Sequence, residues 1–276
     1  MAITAADVNK LRQETGAGMM DCKQALTEAN GDFEEAIVVL RKKGQKVAAK
    51  RADREANEGM VVAKTTADNT FGMALVLTSE TDFVSKNEEF ITFGLKIADL
   101  ATQNRCTTTE EVLALGMDGA TIGSKLDDYV AKIGEKIGIS KYETITGSNV
   151  YAYIHGGYRM GVLVEVNSTS PDATNAAKDI AMQVAAMSPT VVNKEQITQT
   201  IIDREIEIGM DLARQEGKPE AMVERIAQGR LNKFYEDSVL LNQVYIKDNT
   251  LKISEMLQKV EKNLTVLSFK RITLGA

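Results

Sequence analysis

Leu77-Thr-Ser-Glu-Thr-Asp-Phe-Val-Ser-Lys86 is the stretch on which the reading of this chain turns. Upstream, the apolar run Met73 to Leu77 predicts a buried strand; downstream, Glu88, Phe90 and Leu95 fall in a helical pattern. A polar turn joins the two, and on it Asp82 and Phe83 set an acid beside a large ring. Two readings are open. Either Asp82 caps the helix and Phe83 staples it to the sheet, or the turn displays both groups at the surface.

Working outward, the strand belongs to a hairpin, Met60–Lys64 with Phe71–Leu77, turning at Ala67-Asp-Asn69. The pattern recurs as Val150–His155 and Met160–Val166 around Gly156-Gly157, and a shift of 89 positions sets Gly72 on Gly161 and Leu77 on Val166. Each hairpin leads to a helix, Phe90–Ala101 and Ala173–Ala186, the second ended by Pro189. Two copies of a hairpin-plus-helix unit predict two similar subdomains. Their turns differ: Glu80-Thr-Asp-Phe-Val84 in the first, the shorter Thr169-Ser-Pro-Asp172 in the second. A turn here can therefore do without the ring.

Before the hairpins, residues 1–43 read as three short helices: Thr4 caps the first through Val8 and Leu11, Met20–Ala29 forms the second, and Asp32 caps a third through Phe33, Ile37 and Leu40. So small a unit buries little surface alone. Met19 and Met20 are adjacent at a helix start, either one core and one incidental or both an adaptable apolar contact. Arg41, Lys42, Lys43, Lys46, Lys50, Arg51 and Arg54 face a single acid, Asp53, and the alanines between them predict a helical linker. Between the two copies, Thr107-Thr-Thr-Glu-Glu111 caps a short helix, Ser124 starts another through Leu126, Val130, Ile133 and Ile137, and Tyr142–Thr146 is strand-like.

From Glu195 to Gln215 a long helix carries the stripe Ile197, Ile201, Ile208 and Leu212, with Ile202, Ile206 and Ala213 beside it. Gly217-Lys-Pro219 breaks it, Pro219 can open a return helix at its first position, and Met222, Val223, Ile226, Leu231 and Phe234 follow. The pair reads as an antiparallel coiled-coil hairpin. Leu240–Ile246 looks extended, Ile253–Val260 helical, and Thr265–Leu274 a final strand.

Bulk properties narrow the function classes. The chain has 276 residues, 43% of them hydrophobic, and a formal charge of -6 that argues against bulk affinity for nucleic acid. No apolar run spans a bilayer, and the polar, helix-patterned start predicts no signal peptide. Cys22 and Cys106 have no metal or redox spacing and read as reduced thiols. With one histidine, no tryptophan and no nucleophile or phosphate-loop motif, the inventory favours a protein that works by binding.

The run Leu11-Arg-Gln-Glu-Thr-Gly-Ala-Gly-Met-Met-Asp-Cys-Lys-Gln-Ala-Leu26 closely resembles the first signature of the bacterial translation elongation factor Ts family. Thr81-Asp-Phe-Val84 matches that family's core tip, His155-Gly-Gly-Tyr-Arg-Met-Gly-Val-Leu-Val164 resembles its later signature, and Lys132-Ile-Gly-Glu135 also fits. The matches run in family order and cover nearly the whole chain. The resemblance implies an α+β fold: a three-helix, ubiquitin-associated-like N-terminal domain at 1–43, a basic helical linker at 44–58, and a duplicated hairpin-plus-helix core. The core subdomains would span 59–140 and 141–276, with the coiled-coil arm inserted at about 193–236.

The implied function is guanine-nucleotide exchange on elongation factor Tu, without bond-making chemistry, cofactor, metal or nucleotide of its own. No nucleic-acid or membrane partner is expected, the expected location is cytoplasmic, and self-association is left open. Thr81, Asp82, Phe83 and Val84 would form the tip that disturbs the magnesium and phosphate site of the GTPase. Arg12, Met19 and Met20 match the family's N-terminal contact surface, and His155 matches a position near a further contact. Two rival classes stay in view: an adaptor that uses the N-terminal domain to bind a protein, and a small-molecule α/β enzyme that uses Asp82 or His155.

Overall fold

Thr4 caps the first helix of the computed structural model, which describes residues 3–275; positions 1, 2 and 276, at the ends of the first and last expected domains, lie outside them. The chain is a mixed α+β protein that divides into two units. One comprises Met1–Val62, Leu75–Glu143 and Ile272–Ala276, the other Ala63–Ala74 and Thr144–Arg271.

In the first unit, helix α1 (Ala5–Thr15) opens with a reciprocal cap: the Asp7 amide donates to Thr4 Oγ1 and the Thr4 amide to the Asp7 carboxylate. Helix α2 (Met19–Glu28) and helix α3 (Phe33–Arg51) follow, the latter capped by Asp32, which accepts from the Glu35 amide. Val8, Leu11, Cys22, Ala25, Leu26 and Ala36 close a small core between them, and Lys43 joins α3 to α2 through Asp21 at 2.7 Å. The basic stretch expected to be helical continues α3 only as far as Arg51; Arg54 and the remaining linker residues up to β1 lie beyond the helix, which ends where the Ala52 amide turns back to the Ala49 carbonyl.

Strands β1 (Glu58–Thr65) and β2 (Phe71–Ser79) form the first expected hairpin. After them come the one-turn helix α4 (Asp82–Ser85), then α5 (Glu88–Gln103), α6 (Thr109–Ala114), the short strands β3 (Gly116–Met117) and β4 (Ala120–Thr121), α7 (Ile122–Ile133) and β5 (Gly138–Thr146). β5 adds to the hairpin in the order β1-β2-β5. Every residue of β2 is buried, and Phe90, Gly94, Ile97, Ala98 and Ala101 form the buried stripe of α5. Thr108 and Glu111 box the start of α6, as expected. α7 starts two residues before Ser124, because Thr121 caps it by accepting the Ser124 amide at 3.1 Å; it stops at a left-handed Gly134, which leaves Ile137 outside.

Two glycines record how closely elements approach here. A Cβ on Gly44 would sit 3.1 Å from Ala131 Cβ and 3.3 Å from the Asp127 carbonyl, so α3 and α7 meet almost backbone to backbone. Gly59 has φ +145°, and a Cβ on it would lie 2.1 Å from the Leu77 carbonyl oxygen and 2.7 Å from Thr78 Cα. No side chain fits between β1 and the end of β2 at that point.

In the second unit, β6 (Val150–His155) pairs antiparallel with β7 (Met160–Val166), Val150 opposite Glu165 and His155 opposite Met160. Helix α8 (Pro171–Met187) turns Ala173, Ala176, Ala177, Ile180, Ala181 and Val184 inward, and its alanines let the helix pack on Val162, Val164 and Val166. Its left-handed end at Ser188 precedes Pro189. Helices α9 (Gln199–Gln215) and α10 (Glu220–Ser238) form the expected antiparallel pair, followed by β8 (Val244–Tyr245), β9 (Asp248–Lys252), α11 (Ile253–Val260) and β10 (Val266–Thr273). β10 extends the second sheet in the order β10-β7-β6. Both hairpins thus acquire a third strand from later in the chain.

The details of the arm depart from the sequence reading in three places. α9 begins at Gln199, not Glu195, because Lys194–Gln196 make a separate 3-10 turn in which Gln196 Oε1 accepts the Val192 and Asn193 amides. Pro219 is the residue just before α10 rather than its first. Ile201, Ile208 and Leu212 stay exposed; the buried residues of the pair are instead Gly209 and Ala213 on α9 and Val223, Ala227 and Leu231 on α10, with Ile202 and Ile206 half-buried. Gly209 decides this, since a Cβ there would come within 3.1 Å of Ala227 Cα. Leu240–Asn242 is a 3-10 turn, leaving only Val244–Tyr245 extended in the segment expected to be strand-like, because the Gln243 amide turns back to the Val239 and Leu240 carbonyls. Buried Gln183 and Gln243 hold that segment, bonding each other, the Val244 and Asp237 carbonyls and the Ile246 amide.

Candidate partner-binding site

The chain leaves β2 at fully buried Ser79, whose Oγ donates to the Thr81 carbonyl at 3.0 Å. Residues 82–85 then wind once as α4, closed by the Ser85 amide on Thr81 O and the Lys86 amide on Asp82 O. Phe83 lies on this turn with 86% of its surface exposed. It staples nothing to the sheet. Asp82 does not cap α5 either: Asn87 does, accepting the Glu89 amide at 2.8 Å. The short α4 takes up the turn between strand and helix, so the capping reading of the sequence fails and the display reading stands. Asp82 pairs with Lys86 at 2.6 Å, and that ammonium holds its carboxyl below the ordinary value.

The base of this turn is fastened by two glutamates. Glu135, in the loop after α7, uses one oxygen to accept the Thr81 amide at 3.0 Å and the other to accept the Thr81 hydroxyl at 2.7 Å. Glu80 accepts from Arg51 at 2.7 Å, Arg54 at 3.3 Å and the Lys136 amide at 2.6 Å. Lys136 Nζ in turn donates to the Ala52 and Arg54 carbonyls at the end of α3. Turn, α7 loop and α3 end are therefore one hydrogen-bonded assembly.

Partial burial of Glu80 disfavours its charge, but the Lys136 amide and the two guanidinium groups outweigh that and lower its pKa from the ordinary 4.5. Because the folded value is the lower one, the stabilisation is complete above about pH 4.5 and is lost as pH falls through the folded value. Melting temperatures of the parent and a Glu80→Gln variant should differ at neutral pH and converge on acidification below pH 4.5. A constant gap across that range would show that the charge on Glu80 carries none of the effect.

Arg12, in the last turn of α1, and Met19 and Met20, in the first turn of α2, flank the α1–α2 turn. Both methionines are exposed, Met19 by 52% and Met20 by 73%, and Arg12 is exposed as well. Neither methionine is core. Among the described residues, no hydrogen bond or ion pair joins these three to Thr81–Val84. His155, in the second unit, ends β6 at the surface with Nδ1 3.0 Å from the Tyr153 hydroxyl.

A recess of the first unit is lined by Thr15, Leu40, Arg41, Val47, Lys125 and Asp128, and neither Asp82 nor His155 reaches it. Among the described residues, no group of three or more His, Cys, Asp or Glu side chains is placed to hold a metal ion. No helix there is long and apolar enough to cross a membrane. Cys22 and Cys106 are both free and buried. Glu80 and Glu135 are the site residues that sequence reasoning passed over; the one available signal was Lys132-Ile-Gly-Glu135.

These features define an α+β protein whose exposed ring stands on a fastened turn at the end of a buried strand. A family model described as Elongation factor TS matches residues 80–276. Elongation factor Ts of Amoebophilus asiaticus is 47% identical over 277 residues, covering 100% of both chains. Those of Cytophaga hutchinsonii, 49% identical over 275 residues and 99% of each chain, and Porphyromonas gingivalis, 46% over 278 residues and 100% of each, agree with it. The chain belongs to the elongation factor Ts family.

Proposed function

We propose that this chain is a guanine-nucleotide exchange factor for elongation factor Tu, working in the cytoplasm, and that Thr81–Val84 is the group that enters the GTPase near its magnesium and phosphate site. The observation that carries the reading is Phe83, a large ring left 86% exposed on a turn fastened on both sides. A ring in water gains about 1.5–3 kcal/mol on full burial, and a rigid support keeps that gain from being spent on ordering the loop. Asp82 brings a charge next to it that would disturb the magnesium shell.

Exchange follows from linkage. A factor that binds the nucleotide-free GTPase better than the GDP-bound one must weaken GDP binding by the same ratio. Each tenfold acceleration of release needs about 1.4 kcal/mol of barrier reduction. One ring and one charge, both desolvated on docking, supply two such steps. Nothing in this scheme asks the chain itself to hold nucleotide, metal or cofactor, or to make a bond.

The α1–α3 module, read as ubiquitin-associated-like and spanning 1–43, would supply a second contact through Arg12, Met19 and Met20. The linker 44–58 would join it to core subdomains at 59–140 and 141–276, the latter carrying the arm at about 193–236. His155, its Nδ1 engaged by Tyr153, would present Nε2 to the GTPase. Family membership favours exchange over the adaptor alternative. The test is release of labelled GDP from preloaded elongation factor Tu. Faster release on adding the folded chain is expected, and an unchanged rate would overturn the reading.

A further inference from the structure

We propose that Glu135, seconded by Glu80, is a positioning residue for exchange: it holds Thr81–Val84 in docking shape before a partner arrives. The inference rests on the exchange reading above. Its ground is the way Thr81 is used. Thr81 occupies the N-cap position of α4, where a threonine side chain ordinarily turns inward to accept an amide of the first helical turn. Here it makes no such cap. Its hydroxyl donates outward to Glu135 at 2.7 Å, and its amide donates to the other oxygen of the same carboxylate at 3.0 Å.

A helix of four residues, Asp82–Ser85, lacks the length to stand alone. Without a side-chain cap, its shape depends on what holds its N-cap residue, Thr81, beside the Asp82–Lys86 pair. Glu135 does so from 54 positions away in sequence. The next residue, Lys136, donates its amide to Glu80 and its ammonium to the Ala52 and Arg54 carbonyls. One short loop therefore grips the tip on one side and the end of α3 on the other. No part of it needs to touch the GTPase.

Glutamine and alanine at position 135 separate tethering from contact. In Glu135→Gln, the amide oxygen can accept the Thr81 N–H while the amide nitrogen donates to the Thr81 hydroxyl, so both bonds survive without the charge. Glu135→Ala removes both. In the free chain, Glu135→Ala is expected to raise the hydrogen-exchange rate of the Thr81 amide about tenfold or more, with Glu135→Gln close to the parent. In GDP release from elongation factor Tu, Glu135→Ala should lower kcat/KM about tenfold and Glu135→Gln less than about threefold. Melting temperatures of all three should agree within about 4 °C.

Three results would overturn the proposal. One is full exchange activity in Glu135→Ala despite a deprotected Thr81 amide. Another is an unchanged Thr81 amide in that variant. The third is Glu135→Gln falling as far as alanine, which would make the charge a direct contact. If Glu135→Ala does not fold, Glu80→Ala removes the acceptor of the Lys136 amide at the same base, is read by that amide, and is judged by the same comparison. A parent chain that fails to speed GDP release sinks the exchange reading instead, and the amide measurements still report the tether.

Discussion

Replacing Phe83 with alanine is expected to slow stimulated GDP release about 30-fold, and the double change Asp82→Ala, Phe83→Ala about 100-fold, with no loss of melting temperature. The separation of the two effects follows from where the ring stands. At 86% exposure Phe83 contributes no core contact to the free fold, so truncation creates no cavity. What it removes is burial gained only in the complex. About 2 kcal/mol for a docked ring corresponds to roughly 30-fold in rate. Asp82 adds less because it already has a partner in Lys86 at 2.6 Å and must exchange that ammonium for a group on the GTPase. Labelled-GDP release and a melting curve on the same preparation decide the matter. A Phe83→Ala protein as fast as its parent removes the ring from the mechanism, and one that melts early shows that the ring supports the free fold.

Gly59→Ala should be the most damaging single methyl group in the first unit. Two costs combine. The backbone at φ +145° is one that a side-chain-bearing residue adopts only under strain, about 1–3 kcal/mol. The new Cβ would also stand 2.1 Å from the Leu77 carbonyl oxygen and 2.7 Å from Thr78 Cα. Both are backbone atoms of a fully buried strand, so no side-chain rotation relieves the contact, and forcing the strands apart costs about 1–3 kcal/mol more. A fall in melting temperature of about 10 °C is expected. A shift below about 2 °C would mean that β1 and β2 separate freely there. The displaced residues lead directly to Glu80, so exchange should fall further than stability alone predicts.

How much of this was legible depended on how far apart the deciding atoms lie in the chain. The hairpins β1–β2 and β6–β7 and helix α11 were readable because periodicity and turn chemistry are local. Display of Phe83 was not settled by local pattern, since a capped, stapled turn and an exposed one use the same residue types. The structure distinguishes them by giving the cap of α5 to Asn87 and inserting α4 before it. The fastening of the tip was illegible because Glu135 and Thr81 are separated by 54 positions and neither is unusual for its surroundings. In the arm, two apolar stripes lie side by side on α9. The larger residues of Ile201, Ile208 and Leu212 look like the better seam, but Gly209 lets the backbones approach and turns the other stripe inward. Close approach rewards smallness, which hydrophobic pattern alone undervalues.

Helix α3 has a consequence for which changes in chain length the protein can absorb. It starts inside the core that supports Met19 and Met20, crosses α7 at Gly44, and ends at Arg51 on the carboxylate that steadies the tip. Substitutions on its outer face leave that span intact. One residue inserted between Gly44 and Arg51 would advance everything beyond it by about 1.5 Å and rotate it by about 100°. Arg51 would then be carried off Glu80, or the α1–α2 core turned relative to it. Two whole turns would restore the rotation and still overshoot the reach by about 10 Å. The length of this helix works as a ruler between the α1–α2 core and Glu80, so point substitutions along it should be far better tolerated than insertions or deletions of any size.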